Sequence, residues 1–123
     1  MAHPRLLHHN ATQFEKQIIP LADGIWGAVG FAASNTYVIE GDSSLTIIDT
    51  TESTSAAQNI LAEIRQLTRK PVGRILYTHS HRDHISGATV FAPSGDTPIY
   101  AHYAFQSDLV AVTNTAPLPR EAL

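Results

Sequence analysis

The chain has 123 residues, of which 43% are hydrophobic and 15% are charged, and its formal net charge at pH 7 is −3. This length and composition predict a single globular domain. Because there is no run of basic residues, we expect neither nucleic acid nor a membrane surface among its partners. The absence of cysteine excludes a disulfide framework, thiolate zinc sites and a cysteine nucleophile.

The start of the chain is polar and has no clear period. We interpret residues 1–17 as an N-terminal arm that drapes over the fold, and residues 18–123 as the domain. His3, His8 and His9 are then surface residues of the arm. Since the N-terminal residues lack the apolar core of a signal peptide and no stretch approaches transmembrane length, the sequence predicts a cytoplasmic protein.

The next part of the chain has the texture of β-strands. Alternating, β-branched and aromatic residues predict strands over 25–31, 35–40 and 45–49. Turn-forming residues at 41–44 join the last two, which predicts a β-hairpin over 35–49. We interpret Trp26, Phe31 and Tyr37 as core residues, and the alternative is that they line a substrate pocket.

A helix is predicted over residues 54–68, after turn and cap residues at 50–54. Its apolar positions have the three-and-four spacing of one buried face, and they are Ala57, Ile60, Leu61, Ile64 and Leu67. Pro71 and Gly73 end the helix. The remaining predicted elements are a strand over 72–77, a short helix over 85–91, a strand over 98–101 and a helix over 103–112. This order indicates an α/β protein with helices packed on a sheet.

The most informative segment is residues 78–84, with the sequence T-H-S-H-R-D-H, which we call the histidine loop. It follows directly on a predicted strand, at the sheet edge where sites form in open α/β proteins. Because residues two apart in an extended loop point to the same side, His79 and His81 can reach one ion together. Asp83 and His84 follow as the chain turns, and they can aim at a neighbouring ion. Imidazole and carboxylate ligands without thiolate fit zinc, iron or manganese.

Two less specific interpretations of the histidine loop stay open. One is a solvated loop with no function, since the chain has seven histidines in all. The other is a structural metal site, although such sites prefer four protein ligands and often use thiolates, which this chain lacks.

The histidine loop and the residues after it, 85–88 (I-S-G-A), resemble the signature of the metallo-β-lactamase superfamily. The opening strands of that superfamily are matched in order and spacing by segments 23–26, 35–41 and 45–50. Residues 77–81, together with segment 18–30, are most similar to the alkyl sulfatase branch. The resemblance covers about residues 14–105.

The resemblance implies an α/β fold, the αββα metallo-β-lactamase sandwich with a mixed sheet and flanking helices, and two divalent metal ions, usually zinc. It implies that His79 and His81 bind the first ion and that Asp83 and His84 bind the second. Asp83 would also be catalytic, by orienting the attacking hydroxide. Asp49 matches the family's aspartate that lies beneath the metal loop. The resemblance implies that Asp49 accepts hydrogen bonds from this loop and fixes its position. The alternative for Asp49, compatible with that role, is the N-cap of the next helix.

The sequence departs from the family in one respect. Complete members take a third ligand for the first metal, a bridging carboxylate and a last histidine from far downstream. Asp96, His102 and Asp108 do not sit at matching distances. We interpret Asp96 as a turn residue and His102 as a surface residue, so the chain is expected to be the N-terminal half of the sandwich, truncated.

A half sandwich leaves one face of its sheet without cover. We expect apolar residues such as Ile39, Ile47 and Leu76 to need another partner, because a lone monomer rarely exposes such a face. We expect a second polypeptide that completes the fold, another copy of this chain, or the rest of a larger product of which this chain is a fragment.

Two hypotheses on function follow. The first is a metal-dependent hydrolase in which metal-bound hydroxide attacks a small-molecule ester or sulfate ester, as in alkyl sulfatases, with a β-lactamase-type or thioesterase-type activity as a variant on the same fold. The second is a non-catalytic fragment or accessory chain whose metal site is incomplete.

Overall fold

The computed structural model describes residues 3–13 and 15–113, with side chains described as far as residue 110. Residues 1, 2 and 14 of the predicted arm and residues 114–123 of the predicted domain lie outside the described residues. The elements in chain order are α1 (Pro4–Gln13), β1 (Gln17–Ala22), β2 (Ile25–Val29), β3 (Thr36–Glu40), β4 (Leu45–Ile48), α2 (Thr54–Leu67), β5 (Val72–Leu76), α3 (Arg82–Ile85), α4 (Ala88–Phe91), β6 (Ile99–Tyr100) and α5 (Phe105–Thr113).

One mixed sheet organises the described residues. Its six strands lie in chain order, and the pairs from β1 to β4 are antiparallel, whereas β4, β5 and β6 run parallel. Parallel neighbours need a crossover, and α2 supplies it between β4 and β5. The carboxyl ends of these two strands therefore meet at one edge of the sheet, where the Asp49 amide donates to the Leu76 carbonyl at 2.9 Å.

The hydrophobic core lies between one face of the sheet and the helices α2 and α4. Its fully or almost fully buried members are Ala28, Val38, Leu45, Ile47, Ala57, Ile60, Ile64, Ile75 and Phe91. The helix begins after Ser53, whose side chain accepts a hydrogen bond from the Ala56 amide at 3.2 Å. Ser53 and not Asp49 is thus the N-cap of α2, so the alternative role of Asp49 as a cap is wrong.

The opposite face of the sheet carries apolar side chains that the described residues leave partly uncovered. Ile39 is 37% exposed and Leu76 is 39% exposed, as the sequence predicts. Ile47 is completely buried, so the prediction was wrong for this residue. The reason is side-chain alternation: Ile47 shares its face with Leu45, which packs towards α2, whereas Ile39 lies opposite Thr46 in the register.

The three aromatic residues predicted to lie in the core do not all pack on the same face of the sheet. Trp26 and Phe31 pack against the core, which confirms the prediction for them. Tyr37 lies on the other face, where its ring is 3.4 Å from the position that a side chain on Gly27 would occupy. Tyr37 alternates with the buried Val38 along β3, and this alternation turns it away from α2.

Two segments form helices that differ from the prediction. The predicted arm contains α1, all of whose residues are exposed, including His8 and His9. Its start signal is Pro4 at the first helical position, after His3, whose Nδ1 accepts from the Arg5 amide at 3.2 Å. The predicted helix over 85–91 is instead two short helices, α3 and α4, and α3 begins inside the histidine loop. Within the described ranges, no helix is both long and apolar enough to cross a membrane.

Gly87, between α3 and α4, makes a close approach that only glycine permits. A Cβ atom there would lie 2.6 Å from the Cβ of Ala57 and closer still to the carbonyl oxygen of Thr50. We expect Gly87→Ala to lower the free energy of unfolding by about 1–3 kcal/mol through overpacking, as measured by urea denaturation. The exposed Thr89→Ala, in the same region, is the control and should change stability by less than about 0.5 kcal/mol. A Gly87→Ala variant as stable as the parent would contradict this packing.

Candidate metal centre

The site lies where three segments meet at the carboxyl edge of β4 and β5. These segments are the turn that follows β4, the histidine loop that follows β5, and the loop before β3. Asp49 and Thr51 in the first segment have positive φ angles of 58° and 63°. Such angles are uncommon in aspartate and strained in a β-branched residue, so the surroundings must hold this turn in place.

Backbone hydrogen bonds supply that hold. The Thr50 amide donates to the His84 carbonyl at 2.6 Å, and the Ser86 amide donates to the Thr51 carbonyl at 3.0 Å. The buried Ser34 hydroxyl, from the loop before β3, donates to the carbonyl of Asp83. The turn after β4 is therefore bonded directly to the backbone of the histidine loop and the residues after it.

Asp49 is the centre of the polar contacts at the site. Its side chain is 4% exposed, and its Oδ1 accepts from the Thr78 amide at 2.8 Å. Its Oδ2 accepts from the Thr78 hydroxyl at 2.7 Å and lies 2.7 Å from Nδ1 of His84. A buried carboxylate is costly unless it is hydrogen-bonded. Thr78 and His84, the first and last residues of the histidine loop, donate these hydrogen bonds, so the carboxylate also anchors both ends of the loop.

The histidine rings of the loop lie close together. The ring centroids of His79 and His84 are 4.1 Å apart, and those of His79 and His81 are 4.6 Å apart. Oδ2 of Asp83 lies 3.4 Å from Nε2 of His84. Asp49, His79 and His84 each offer one potential ligand atom, and these three atoms lie within 4.8 Å of one another. The described residues thus bring imidazole and carboxylate donors into one small volume.

This donor set fits a divalent transition metal. Imidazole nitrogen and carboxylate oxygen, with no thiolate, suit zinc, iron and manganese. Since Nδ1 of His84 faces Asp49, the lone pair on Nε2 is the one left to a metal, which is the usual arrangement of a metal-binding histidine. Proximity alone would allow Asp49 to be a ligand. Its two oxygens already take three hydrogen bonds, however, and all three come from residues of the histidine loop.

Tyr77 directly precedes the histidine loop and lies near Asp49. Its ring stacks on that of Phe105 with centroids 5.4 Å apart, and its hydroxyl donates weakly to the Ile85 carbonyl at 3.4 Å. Burial raises the pKa of Tyr77, the negative charge of Asp49 raises it further, and a hydrogen bond with Thr50 lowers it in part. The phenol is therefore a neutral packing group at ordinary pH.

The predicted site residues divide into those that converge and those that stay apart. Asp49, His79 and His84 converge, with His81 beside His79 and Asp83 beside His84. His102 is exposed, and its Nδ1 accepts from the Ala104 amide at 3.2 Å. Asp96 is exposed in a turn. Thr78 is a site residue absent from the sequence prediction, and it bonds to Asp49 through both its amide and its hydroxyl. The available signal was a hydroxyl residue directly before the first histidine.

Comparison with known proteins places this site in a family. The model of the metallo-β-lactamase superfamily matches residues 29–107, which include Asp49 and the whole histidine loop. An alkyl/aryl-sulfatase of Saccharomyces cerevisiae is 36% identical over 100 residues, covering 76% of this chain and 16% of the relative. A linear primary-alkylsulfatase of a Pseudomonas species is 38% identical over 78 residues, covering 59% of this chain and 15% of the relative.

A solved structure supports the same assignment. The stereoselective inverting sec-alkylsulfatase of a Pseudomonas species aligns with a TM-score of 0.71 and 27% identity, over 78% of this chain and 16% of that chain. The chain spans about a sixth of the length of the curated relatives it matches. The predicted fold class and the resemblance to alkyl sulfatases are confirmed. Because the family model matches more than half of its residues, the chain belongs to the metallo-β-lactamase superfamily.

Proposed function

We propose that the chain carries the metal-binding part of a hydrolase that cleaves alkyl sulfate esters. The observation that carries the proposal is the buried Asp49 carboxylate, which holds Thr78 and His84 and so gathers the rings of the histidine loop at an open sheet edge. The sulfate ester is proposed because the relatives include an alkyl/aryl-sulfatase and a linear primary-alkylsulfatase.

In this proposal the histidine loop holds two divalent ions, and zinc is the metal we propose. His79 and His81 bind the first ion, and Asp83 and His84 bind the second. When bound, such ions supply Lewis-acid chemistry and lower the pKa of coordinated water to about 7. The members of each pair are neighbours, since the ring centroids of His79 and His81 are 4.6 Å apart and Asp83 lies 3.4 Å from Nε2 of His84. The two pairs also adjoin each other, because the ring centroids of His79 and His84 are 4.1 Å apart.

Asp83 is the residue to which we assign the catalytic role. Its side chain is 43% exposed, so its carboxylate is open to solvent at the edge of the site, unlike the buried carboxylate of Asp49. The backbone of Asp83 is fixed by the Ser34 hydroxyl, which limits the positions its side chain can take. We propose that the Asp83 carboxylate orients the attacking water and accepts its proton.

We further propose that the open face of the sheet is covered by a second polypeptide, by another copy of this chain or by the rest of a larger protein, and that this cover supplies the remaining ligands. The supporting observation is a set of partly exposed apolar side chains on that face, which includes Leu21, Ile39, Leu76 and Tyr100. The cytoplasmic location stays a prediction of the sequence.

A second candidate function is an accessory chain that binds metal without catalysis. It is favoured by one observation: among the described residues, the group of potential ligand atoms within 4.8 Å comprises only Asp49, His79 and His84. The two candidates share the metal-binding residues and differ in whether this chain alone turns over a sulfate ester.

The first prediction of the proposal concerns metal content. We expect His81→Ala to lose bound zinc, because it removes one ligand of the proposed first ion, whereas the fold should be kept since His81 is exposed. Zinc per chain is measured by elemental analysis after dialysis against a metal-buffered solution. His102→Ala is the matched control, a surface histidine outside the loop. Equal zinc in His81→Ala and the parent chain would refute the ligand assignment.

The second prediction concerns activity. With zinc present, the chain should release inorganic sulfate from a linear primary alkyl sulfate. Asp83→Asn should reduce the rate by about 100-fold or more, since it removes a general base, which alone contributes about that much, and also a ligand of the proposed second ion. Sulfate release is measured by ion chromatography, with Asp96→Asn as the control carboxylate. Zinc binding without any sulfate release would exclude activity by copies of this chain alone, and it would agree both with the accessory candidate and with ligands supplied by another polypeptide.

A further inference from the structure

We infer that Thr78 is a positioning residue that sets which ring nitrogen of His79 carries the proton, by linking that ring to the carboxylate of Asp49. The inference deepens the proposed function and rests on it, because it concerns how a ligand of the proposed metal centre is prepared. Thr78 itself touches neither substrate nor metal in this account.

The Thr78 hydroxyl lies between two groups that can each take part in a hydrogen bond. A threonine hydroxyl has one proton to donate and two lone pairs to accept with. The Thr78 hydroxyl lies 2.7 Å from Oδ2 of Asp49 and 2.9 Å from Nδ1 of His79. The carboxylate has no proton to offer, so the hydroxyl proton points to Asp49. The hydroxyl then faces His79 with a lone pair, and Nδ1 of His79 must be the donor.

The opposite arrangement is unfavourable. If Nδ1 of His79 carried no proton, it would need the proton of the Thr78 hydroxyl. The hydroxyl oxygen would then face Oδ2 of Asp49 at 2.7 Å with no hydrogen between them. Two oxygens with lone pairs at that distance, beside a buried charge, repel each other. The geometry therefore favours the His79 tautomer with the proton on Nδ1.

The same carboxylate prepares a second ring. Nδ1 of His84 lies 2.7 Å from Oδ2 of Asp49 and donates to it directly. His79 and His84 thus receive the same tautomer, one through Thr78 and one by direct contact. Their rings lie 4.1 Å apart, and in each neutral ring with its proton on Nδ1 the nitrogen that can bind a metal is Nε2. The single carboxylate of Asp49 thus sets the tautomer of two proposed ligands, that of His84 by direct contact and that of His79 through Thr78.

The test compares Thr78→Val, which has the same shape without a hydroxyl, with Thr78→Ser, which keeps the hydroxyl. Neither change removes the backbone bond from the Thr78 amide to Asp49, so the loop stays anchored in both. The first readout is the ¹⁵N chemical shift of the His79 ring nitrogens in the metal-free chain. We expect the proton on Nδ1 in the parent chain and in Thr78→Ser, and a shift towards Nε2 in Thr78→Val. His84 serves as the internal control and should keep its tautomer.

The second readout is the affinity for zinc, measured by competition with a chelator. Loss of a group that orients a metal ligand costs about 10-fold to 100-fold in affinity, so Thr78→Val should bind zinc more weakly by that factor, with Thr78→Ser close to the parent. An unchanged His79 tautomer in Thr78→Val would overturn the inference, as would equal loss of affinity in both variants. If no form of the chain binds zinc, the proposed metal centre fails, yet the nitrogen shifts still decide the role of Thr78.

Discussion

The buried carboxylate of Asp49 is the contact on which the proposed site depends. Asp49 has a left-handed backbone conformation directly after β4, and its carboxylate accepts hydrogen bonds from the first and last residues of the histidine loop. An ionised group in a buried position is stable only when its partners are in place. The loop and the carboxylate therefore require each other: the charge closes the loop, and the loop satisfies the charge.

Fold and chemistry are joined through the parallel pair β4 and β5. The crossover helix α2 lets both strands end at one edge, so that Asp49 and Thr78, which are 29 positions apart in sequence, come into contact. The close approach at Gly87 brings α4 against α2 and the Thr50 carbonyl. The positions of the histidines are thus set by the packing of the sheet and its helices and not by the loop alone.

Much of this arrangement is predictable from the sequence, and the reasons are local. The histidine loop was expected at a strand end because an apolar run ends at Tyr77, and α2 was expected because its apolar positions recur at helical spacing. The face of the sheet on which Ile47 lies is not predictable. The sequence pattern of a strand shows that its side chains alternate between two faces, but it does not show which of these faces packs against the helix. The link through Thr78 was also hidden, because it depends on an aspartate from a different strand. Helix α1 had only a weak signal, with no apolar period to reveal it.

If Asp49 prepares the histidine loop to bind metal, the zinc affinity of Asp49→Asn should reveal it. Asparagine tolerates the left-handed conformation, yet its amide places a donor where Thr78 and His84 also donate. We expect binding weaker by about 10-fold to 100-fold with the fold retained, and no change in the Asp108→Asn control. Zinc affinity equal to that of the parent chain, in a correctly folded Asp49→Asn protein, would contradict it.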